Sequence, residues 1–333
     1  MHDRRYNDYA TALEQTYGEK VYRIGVDGGF SCPNRNADGS GGCSYCDETG
    51  SVAVYHRVSE QNKGFCFDPH STNPRRLPED TEESLSKRKE HLLWQIDRAK
   101  MFLDRRYDTG GRSIYFQAFT STYGRIEILK QLYDVALSTG SYREFIVSTR
   151  SDCLQLEKIN LIASYKGQVD ALWVELGLQS GNDTTLHTIA RNETVNDFLE
   201  ACTLAHRSGI HVCAHIILGL PGESFDEIDK TAEVLVKAGV EAVKIHNLHI
   251  VAGSRLFEEF KAGLLTAPSM ERHLAYTIHV LRRLPFSMII ERFTSDTPKH
   301  RLAAPRDFGD KHGFVRCLNL EMERLDVRQG DLL

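Results

Sequence analysis

The chain has 333 residues, with 41 Lys and Arg, 46 Asp and Glu, and a formal net charge of −5. Apolar residues make up 41% and charged residues 26%, which is typical of a globular chain of one large α/β domain or two smaller ones. The mild acidity excludes a uniformly basic nucleic-acid scaffold, and no apolar run approaches the roughly 18 residues that cross a membrane. The polar N-terminus, MHDRRYNDYATALEQ, is unlike a secretory signal, so we expect a cytoplasmic protein. In a reducing compartment the eight cysteines are more typical of metal binding or chemistry than of disulfides.

Apolar runs and helical periods alternate along most of the chain. The apolar runs predict strands at 21–26, 113–117, 145–149, 171–178, 211–220 and 241–248. Periodic segments predict helices at 79–107, 125–138, 153–165, 196–208 and 224–238. Six alternations indicate a parallel sheet with right-handed crossovers, either barrel-like or doubly wound. The runs are continuously apolar, so we expect strands that are covered by apolar contacts on both faces.

Two regions interrupt this pattern. Residues 59–80 are rich in proline, asparagine and charge without a period, which predicts a surface loop. Beyond residue 250, helical segments at 255–262, 270–284 and 308–325 surround a short strand at 287–292. We therefore divide the chain into a core, residues 1–250, and an extension, residues 251–333, that packs on the core.

Three cysteines follow the first predicted strand, in the glycine-rich loop 27–50. Cys32, Cys43 and Cys46 form a C-x10-C-x2-C array that can converge on one soft metal centre. One interpretation is a structural zinc site, for which His56 or Cys66 would have to supply a fourth ligand. A phosphate-binding loop is disfavoured because the G-K-[ST] ending is missing. A third interpretation is an iron–sulfur cubane on three thiolates, which leaves one iron open to a small molecule at the carboxyl ends of the strands.

The segments that surround this array resemble one known family. They are CPNR and GGCSYC within 32–46, YFQAFTSTYG at 115–124, STRSDC at 148–153, WVELGLQS at 173–180, AHIILGLPGES at 214–224 and KIHNLHIVAGSRL at 244–256. Together they are similar to the radical S-adenosylmethionine (SAM) superfamily, and most of all to YhcC-like proteins, relatives of the radical SAM domain of the elongator catalytic subunit. The resemblance implies a partial (β/α)6 TIM-like barrel with a small C-terminal α/β extension. It also implies a [4Fe–4S] cluster held by Cys32, Cys43 and Cys46, with SAM on the open iron.

Further roles follow from the resemblance alone. Tyr45 would pack on the adenine, Gln117 would contact the methionyl amino group although the usual Gly-Gly-Glu is absent, and Ser148 and Thr149 would reach the ribose. Gln179 and Arg191 match a pair that contacts SAM, and His215 falls where some relatives place an aspartate near the ribose. Three of these residues also have a structural interpretation: loop packing for Tyr45, a solvated helix charge for Arg191 and a buried core residue for His215. The roles of Cys153, His246 and His249 stay open, although joint metal ligation by the two histidines is disfavoured because residues three apart on a strand face opposite ways.

The function implied is reductive cleavage of SAM to a 5′-deoxyadenosyl radical that abstracts hydrogen from an unidentified substrate. The electron would come from a donor such as flavodoxin or ferredoxin, and no membrane partner is expected. RNA is a candidate substrate by analogy with the elongator subunit, with phosphate contacts from the mixed-charge stretch 75–106. The alternative is a binding module without turnover, stabilised by zinc or by an iron–sulfur cluster.

Overall fold

The computed structural model describes residues 4–36, 41–46, 81–107, 109–297 and 301–333. The strands are β1 (Val21–Val26), β2 (Gly111–Phe116), β3 (Tyr142–Thr149), β4 (Val169–Gln179), β5 (His211–Leu218), β6 (Ala242–Asn247), β7 (Ile250–Val251), β8 (Ile289–Arg292) and β9 (Leu302–Ala304). The helices are α1 (Tyr9–Tyr17), α2 (Glu82–Arg106), α3 (Ile126–Leu137), α4 (Leu156–Ala163), α5 (Asp183–Thr188), α6 (Val195–Arg207), α7 (Phe225–Ala238), α8 (Arg255–Lys261), α9 (Met270–Leu281) and α10 (Lys311–Arg324).

Seven strands form one parallel sheet in the order β1-β2-β3-β4-β5-β6-β8. The sheet curls into a half-barrel with helices packed on its convex face, which confirms the predicted partial TIM-like barrel. The short strands β7 and β9 form a separate antiparallel pair. Because all seven strands are parallel, their carboxyl ends meet at one rim, and the loops that follow them lie together.

The convex face supplies the main hydrophobic core. Alternate residues of the strands pack there against the helices, and they include Ile24, Ile114, Phe145, Val174, Val212 and Val243. Helices on this face begin after residues that cap a helix N-terminus. Thr194 and Ser224 form capping boxes before α6 and α7, where their hydroxyls and the carboxylates of Asp197 and Glu227 satisfy exposed backbone N–H groups.

The concave face differs from the expected apolar covering. Arg23, Glu144, Glu175, Lys244 and Glu291 point to this face from five different strands, and their side chains are largely buried. The prediction that the strands are apolar on both faces is therefore wrong for the concave side. The period-2 alternation is present, but its polar positions are buried charges that pair with one another across the barrel.

An ion pair joins the two edges of the sheet. Arg23 on β1 reaches Glu291 on β8 at 2.8 Å, so the sheet curls far enough for its first and last strands to meet through side chains. The helix α1, which the sequence pattern did not predict, contacts both strands. Its Tyr9 hydroxyl accepts a hydrogen bond from Arg23 at 2.8 Å. The open side of the half-barrel is thus partly closed by α1 at this level.

The division of the chain into a core, residues 1–250, and an extension, residues 251–333, stays a prediction, but the pairing of β8 bears on it. Strand β8 lies within the predicted extension, yet it pairs with β6 and completes the main sheet. The predicted surface loop at 59–80 lies outside the described residues. Among the described residues, no helix combines the length and the hydrophobicity that a membrane span requires.

Candidate functional site

The three cysteines lie at the rim formed by the carboxyl ends of the strands, directly after β1. Cys43 is buried, and Cys32 and Cys46 are partly buried. The Cys46 amide donates to the Cys43 carbonyl at 2.9 Å, which turns the backbone between these two ligand candidates. A hydrogen bond from the Cys46 thiol, together with the charge of Arg191, outweighs burial and holds the pKa of Cys43 well below its usual value. The surroundings of Cys43 therefore favour its thiolate, the form in which cysteine binds metals, whereas the same hydrogen bond and burial raise the pKa of Cys46 well above its usual value.

Asn34 fastens this loop to the turn after α5. Its amide nitrogen donates to Cys43 Sγ at 3.3 Å and to the Ala190 carbonyl at 2.8 Å. Its amide oxygen accepts a hydrogen bond from Asn192 at 2.5 Å. Ala190 and Asn192 both adopt positive φ angles, of 50° and 53°, so the turn that receives the loop is a strained one. The backbone of Ser44 adds two ties, to Ile189 and to Leu256.

Arg191 lies behind Cys43, and its buried Nε has no hydrogen-bond partner among the described residues. Its guanidinium donates to Cys43 Sγ at 3.8 Å and to the Gly177 carbonyl at 2.8 Å. Glu193 pairs with it at 2.6 Å and also with Arg150 at 3.2 Å. The interpretation of Arg191 as a solvated helix charge is therefore wrong, because the residue is buried beside a cysteine sulfur.

Gln179 ends β4 close to Arg191. It adopts a positive φ of 68°, at a point where the register between β4 and β5 shifts. A Cβ on Gly177 would lie 2.4 Å from Gln179 Nε2 and 2.8 Å from Arg191 Nη2. The glycine thus leaves a cradle into which both side chains fold, and the structure brings Gln179 and Arg191 together, as the resemblance implies.

A second glycine makes room on β1. A Cβ on Gly25 would lie 2.9 Å from Gln117 Nε2, so the Gln117 amide lies over this position beside the cysteine loop. Ser148 is partly buried at the end of β3. The Thr149 hydroxyl instead lies 2.5 Å from the Thr122 hydroxyl, which also donates to the Cys153 carbonyl. Because neighbouring residues on a strand point to opposite faces, Thr149 does not share the face of Ser148.

Tyr45 packs against an apolar cluster at the same rim. The cluster consists of Leu186, Ile189, Ile217, Leu220, Leu248 and Leu256. Burial raises the pKa of Tyr45 well above its usual value, so the ring is a neutral apolar surface. Loop packing, which was the alternative interpretation of Tyr45, therefore holds whether or not the ring also receives an adenine.

His215 lies deeper, on the concave face. Its Nε2 is 2.8 Å from Glu175, and its ring centroid is 5.2 Å from that of His246. Burial outweighs the attraction of Glu175 and lowers the pKa of His215. His249 faces elsewhere, toward the Thr297 hydroxyl at 2.7 Å, so the two histidines of KIHNLH have different partners. Cys153 is buried, and burial raises the pKa of its thiol, which makes it a poor nucleophile.

Sequence reasoning missed a layer of buried charges below His215. This ion layer consists of Arg23, Glu175, Lys244 and Glu291. Glu175 is bound by Arg23 at 2.9 Å, by the Lys244 ammonium and by the Tyr115 hydroxyl. Burial alone would raise the pKa of Glu175, but Lys244 and Arg23 outweigh it and hold the pKa well below its usual value. Glu175 also lies with Cys213 and His215 in a group whose ligand-type atoms are within 4.8 Å of one another. The two bound cations already neutralise this carboxylate, so we interpret the group as part of the ion layer. Charged residues inside apolar runs were the signal that could have revealed it.

The donor set fits an iron–sulfur cluster and SAM. Three thiols are presented by one loop, two N–H donors are directed at one of the sulfurs, and two glycine cradles hold amide and guanidinium groups beside them. Hydrogen bonds to cysteine sulfur are a means by which proteins adjust iron–sulfur clusters. Arg and Gln provide the forked donors and the mixed donor–acceptor group that a carboxylate and hydroxyls require.

A cavity of about 660 Å³ opens beside the loop. Ser31 and Pro33, which flank Cys32, form part of its wall. Arg88, Arg125 and Lys158 also line the cavity, together with Asp152 and Cys153. Basic residues thus outnumber acidic ones in the lining of a cavity beside the first cysteine of the array.

Comparison with known proteins gives consistent results. The model of the radical SAM superfamily matches residues 32–235, and that of a radical SAM C-terminal domain matches residues 240–324. Protein YhcC of Escherichia coli is 32% identical over 300 residues, which cover 90% of this chain and 86% of YhcC. YtqA of Bacillus subtilis is 28% identical over 329 residues, 98% of this chain and 92% of YtqA.

Among solved structures, an N-terminally truncated Elp3 of Methanocaldococcus infernus superposes with a TM-score of 0.62 at 21% identity. The superposition covers 71% of this chain and 59% of that one. At this identity the likeness concerns the fold alone. It agrees with the half-barrel described above.

Proposed function

The chain belongs to the radical SAM superfamily, and from this premise we propose that it is an enzyme that cleaves SAM reductively and abstracts hydrogen from a substrate. The observation that carries the proposal is the buried, hydrogen-bonded Cys43 between Asn34 and Arg191 in a three-cysteine loop at the barrel rim. When bound, a [4Fe–4S] cluster supplies one electron to the SAM sulfonium, which yields methionine and a 5′-deoxyadenosyl radical that becomes 5′-deoxyadenosine by taking a substrate hydrogen atom.

The protein residues would bind, orient and exclude water. Cys32, Cys43 and Cys46 would each ligate one iron. The Gln179 amide and the Arg191 guanidinium, folded into the cradle at Gly177, would hold polar groups of SAM by directed hydrogen bonds. Such fixed donors raise rates by positioning the reacting atoms rather than by reacting themselves.

Three of the remaining predicted contacts are carried forward, and two, Thr149 and His215, are not proposed as ribose contacts. Gln117 over Gly25 and Ser148 at the end of β3 are proposed SAM contacts, and Tyr45 a proposed adenine contact. The Thr149 hydroxyl faces Thr122, so we leave it out of the proposal. His215 lies beside Glu175 of the ion layer. We therefore propose that it contacts the substrate rather than the ribose of SAM.

The electron would arrive from an acidic one-electron donor such as flavodoxin or ferredoxin. The lining of the cavity beside Cys32, in which Arg88, Arg125 and Lys158 outnumber Asp152, supports this part of the proposal by charge complementarity. An RNA substrate stays a prediction. Part of the stretch 75–106 on which it depends lies outside the described residues, and within α2 the Lys87 ammonium is paired with Glu83.

The test is anaerobic reconstitution with iron and sulfide, followed by reduction with dithionite in the presence of SAM. We expect about four irons per chain and 5′-deoxyadenosine in wild type. Cys43→Ala should lose both, because one of three thiolate ligands is missing. Cys317→Ala, which removes a partly buried cysteine of α10 far along the chain, is the matched control and should keep both.

Two results would contradict the proposal. One is wild-type protein that binds iron but forms no 5′-deoxyadenosine, and the other is undiminished product from Cys43→Ala. Zinc in place of iron in protein purified without oxygen would favour the binding-module alternative.

A further inference from the structure

The concave face of β5, β6 and β8 carries polar side chains that the proposed cofactor contacts do not use. Those contacts come from the loop after β1, from the ends of β2, β3 and β4, and from the turn after α5, which carries Arg191. His215 on β5, His246 on β6 and Arg292 on β8 lie on the other side of the barrel. The curl of the sheet makes the two sides face each other, as the Arg23–Glu291 pair shows.

Strand register places Arg292 on the concave face. Lys244 pairs with Arg292, whereas the preceding pair, Val243 with Ile290, packs into the convex core. Residues paired in register point to the same face. The register shifts between these two pairs, and the extra residue, Glu291, also reaches inward to Lys244 at 3.3 Å. The bulge thus gives β8 two consecutive inward charges.

These two charges have different surroundings. Glu291 is bound by Arg23 and Lys244 within the ion layer. Glu175, another buried carboxylate of that layer, is bound by the same two cations. Within residues 4–36, 41–46, 81–107, 109–297 and 301–333, no carboxylate pairs with the Arg292 guanidinium. Arg292 is therefore a cation of the concave face that is left without an ion-pair partner in that part of the chain.

Of the two imidazoles on this side of the barrel, His215 is bound to Glu175, whereas no carboxylate pairs with His246 among the described residues. Burial lowers the pKa of His246, and the charges of His215 and Arg292 lower it further, so the ring is neutral. The buried Nε2 of His246 has no hydrogen-bond partner among the described residues. A buried polar atom without a partner costs free energy unless a ligand or water satisfies it.

We propose that Arg292, assisted by His246, binds an oxyanion of the substrate, a carboxylate or a phosphate, on the side of the barrel that faces the SAM contacts. The inference rests on the proposed function, because it assigns the substrate to the concave face of the same site. A guanidinium presents the fork of donors that both oxyanions accept, and a neutral imidazole adds one further hydrogen bond. An anion at this position would carry the rest of the substrate toward the rim, where the abstracted hydrogen must lie.

The test measures binding of two probes, inorganic phosphate and succinate, by titration calorimetry at constant ionic strength. The reconstituted chain is used with SAM present, and the measurement is repeated on protein without a cluster. We expect saturable binding of at least one probe at one site per chain. Arg292→Gln should weaken it at least tenfold, and Arg292→Lys should weaken it less, because lysine keeps the charge but loses the fork.

The matched control is Arg324→Gln, which removes the same charge from an exposed position on α10. Equal losses in Arg292→Gln and Arg324→Gln, or no saturable binding in wild type, would overturn the proposal, as would a larger loss of SAM affinity than of anion affinity in Arg292→Gln. Binding of phosphate alone or of succinate alone would support it and identify the oxyanion. If anion binding depends on Arg292 but no 5′-deoxyadenosine forms, the proposed function fails while the anion site stands.

Discussion

Gly177 determines how much room two proposed SAM-binding side chains have. The ends of the Gln179 and Arg191 side chains occupy the space that a Cβ would need. A Cβ at this position would lie 2.4 Å from Gln179 Nε2 and 2.8 Å from Arg191 Nη2. No ordinary side chain could occupy the position without moving both. Because the displaced groups are the ends of long side chains rather than backbone, the fold can tolerate the change.

We therefore expect Gly177→Ala to weaken SAM binding at least tenfold, because two directed donors lose their places. The free energy of unfolding should change by less than about 1 kcal/mol. Gly140→Ala is the control, since only the tip of Lys100 lies near its Cβ position, at 3.5 Å. Equilibrium dialysis with SAM on the reconstituted proteins measures the first effect and urea unfolding the second. Unchanged affinity in Gly177→Ala would contradict the placement of Gln179 and Arg191 at SAM.

The residues that could be identified from the sequence are those whose signal is local. Cys43 and Cys46 stand out because only two residues separate them, and Arg191 because it follows the short motif that contains Gln179. Asn34 and Glu193 could not be identified, since each acts through a partner that only folding brings near. Asn34 reaches Ala190 across 156 residues. No spacing rule for a single chain encodes a pair of that kind.

At the scale of elements, Glu223 fixes the turn between β5 and α7. Its carboxylate accepts hydrogen bonds from Ser180 Oγ at 2.7 Å and from the amides of Gly219 and Leu220 at 3.2 and 3.1 Å. Burial nevertheless dominates and raises the pKa of Glu223 from 4.5 to about 7. Between these two values the folded chain holds a proton that the unfolded chain has released.

Stability contributed by this group is therefore highest below pH 4.5 and falls as the pH rises toward 7. A shift of this size corresponds to roughly 3 kcal/mol. The glutamine of Glu223→Gln cannot ionise, so the variant does not lose stability in this way. The difference in the free energy of unfolding, variant minus wild type, should therefore rise between pH 5 and pH 8 by a large part of the roughly 3 kcal/mol. Urea unfolding at several pH values measures the difference, and Glu233→Gln, an exposed change on α7, is the control. A difference between wild type and Glu223→Gln that does not vary with pH would contradict the assignment.

The elements themselves could be predicted where one physical signal dominates. Helices such as α6 and α7 have amphipathic periods and capping residues that agree with each other. The helix α1 was missed because only two of its residues, Ala12 and Leu13, are buried, so its apolar period is weak. Its place depends on Tyr9 and Tyr17, whose hydroxyls bind charged residues of the barrel interior.

At the scale of the whole molecule, Arg23 connects strands that are far apart in the sheet. Its guanidinium binds Glu175 on β4 and Glu291 on β8, and both carboxylates are buried. Removing the cation would leave two buried negative charges with Lys244 as their main partner. The cost of leaving buried charges unpaired exceeds that of losing a surface ion pair several-fold.

We expect Arg23→Met to lower the free energy of unfolding by about 3–5 kcal/mol. Arg143→Met is the matched control. It removes a guanidinium that also binds two carboxylates, Glu19 and Asp170, but its side chain is 42% exposed. Arg143→Met should lower the free energy of unfolding by no more than about 1 kcal/mol. Urea unfolding, monitored by circular dichroism, compares the two variants. Equal losses in the free energy of unfolding would show that the ion layer does not hold the barrel edges together.

The parallel sheet of strand–helix units could be predicted from the alternation of apolar runs and helical periods, because each unit is encoded locally, whereas the choice of a partial barrel over a doubly wound sheet came from the family resemblance. The closing contacts could not. Strand β8 appeared as part of an appendage, since a run of four residues such as Ile289–Arg292 carries no sign of the strand it will pair with. The pairing of Arg23 with Glu291 depends on the curl of the complete sheet, which is a property of all seven strands.

The closure of the barrel also sets an order of events during synthesis. The segment before α1 is held by residues near the other end of the chain: the Asn7 amide donates to Gln329 Oε1 at 2.9 Å, and the Asn7 carbonyl accepts from the Ile290 amide at 2.8 Å. A ribosome delivers Asn7 322 residues before Gln329. β1 is therefore synthesised long before β8, and until β8 emerges the concave face lacks Glu291. The Arg23–Glu291 pair can form only after β8 has joined the sheet, so we expect the complete ion layer to form late in folding rather than as its nucleus.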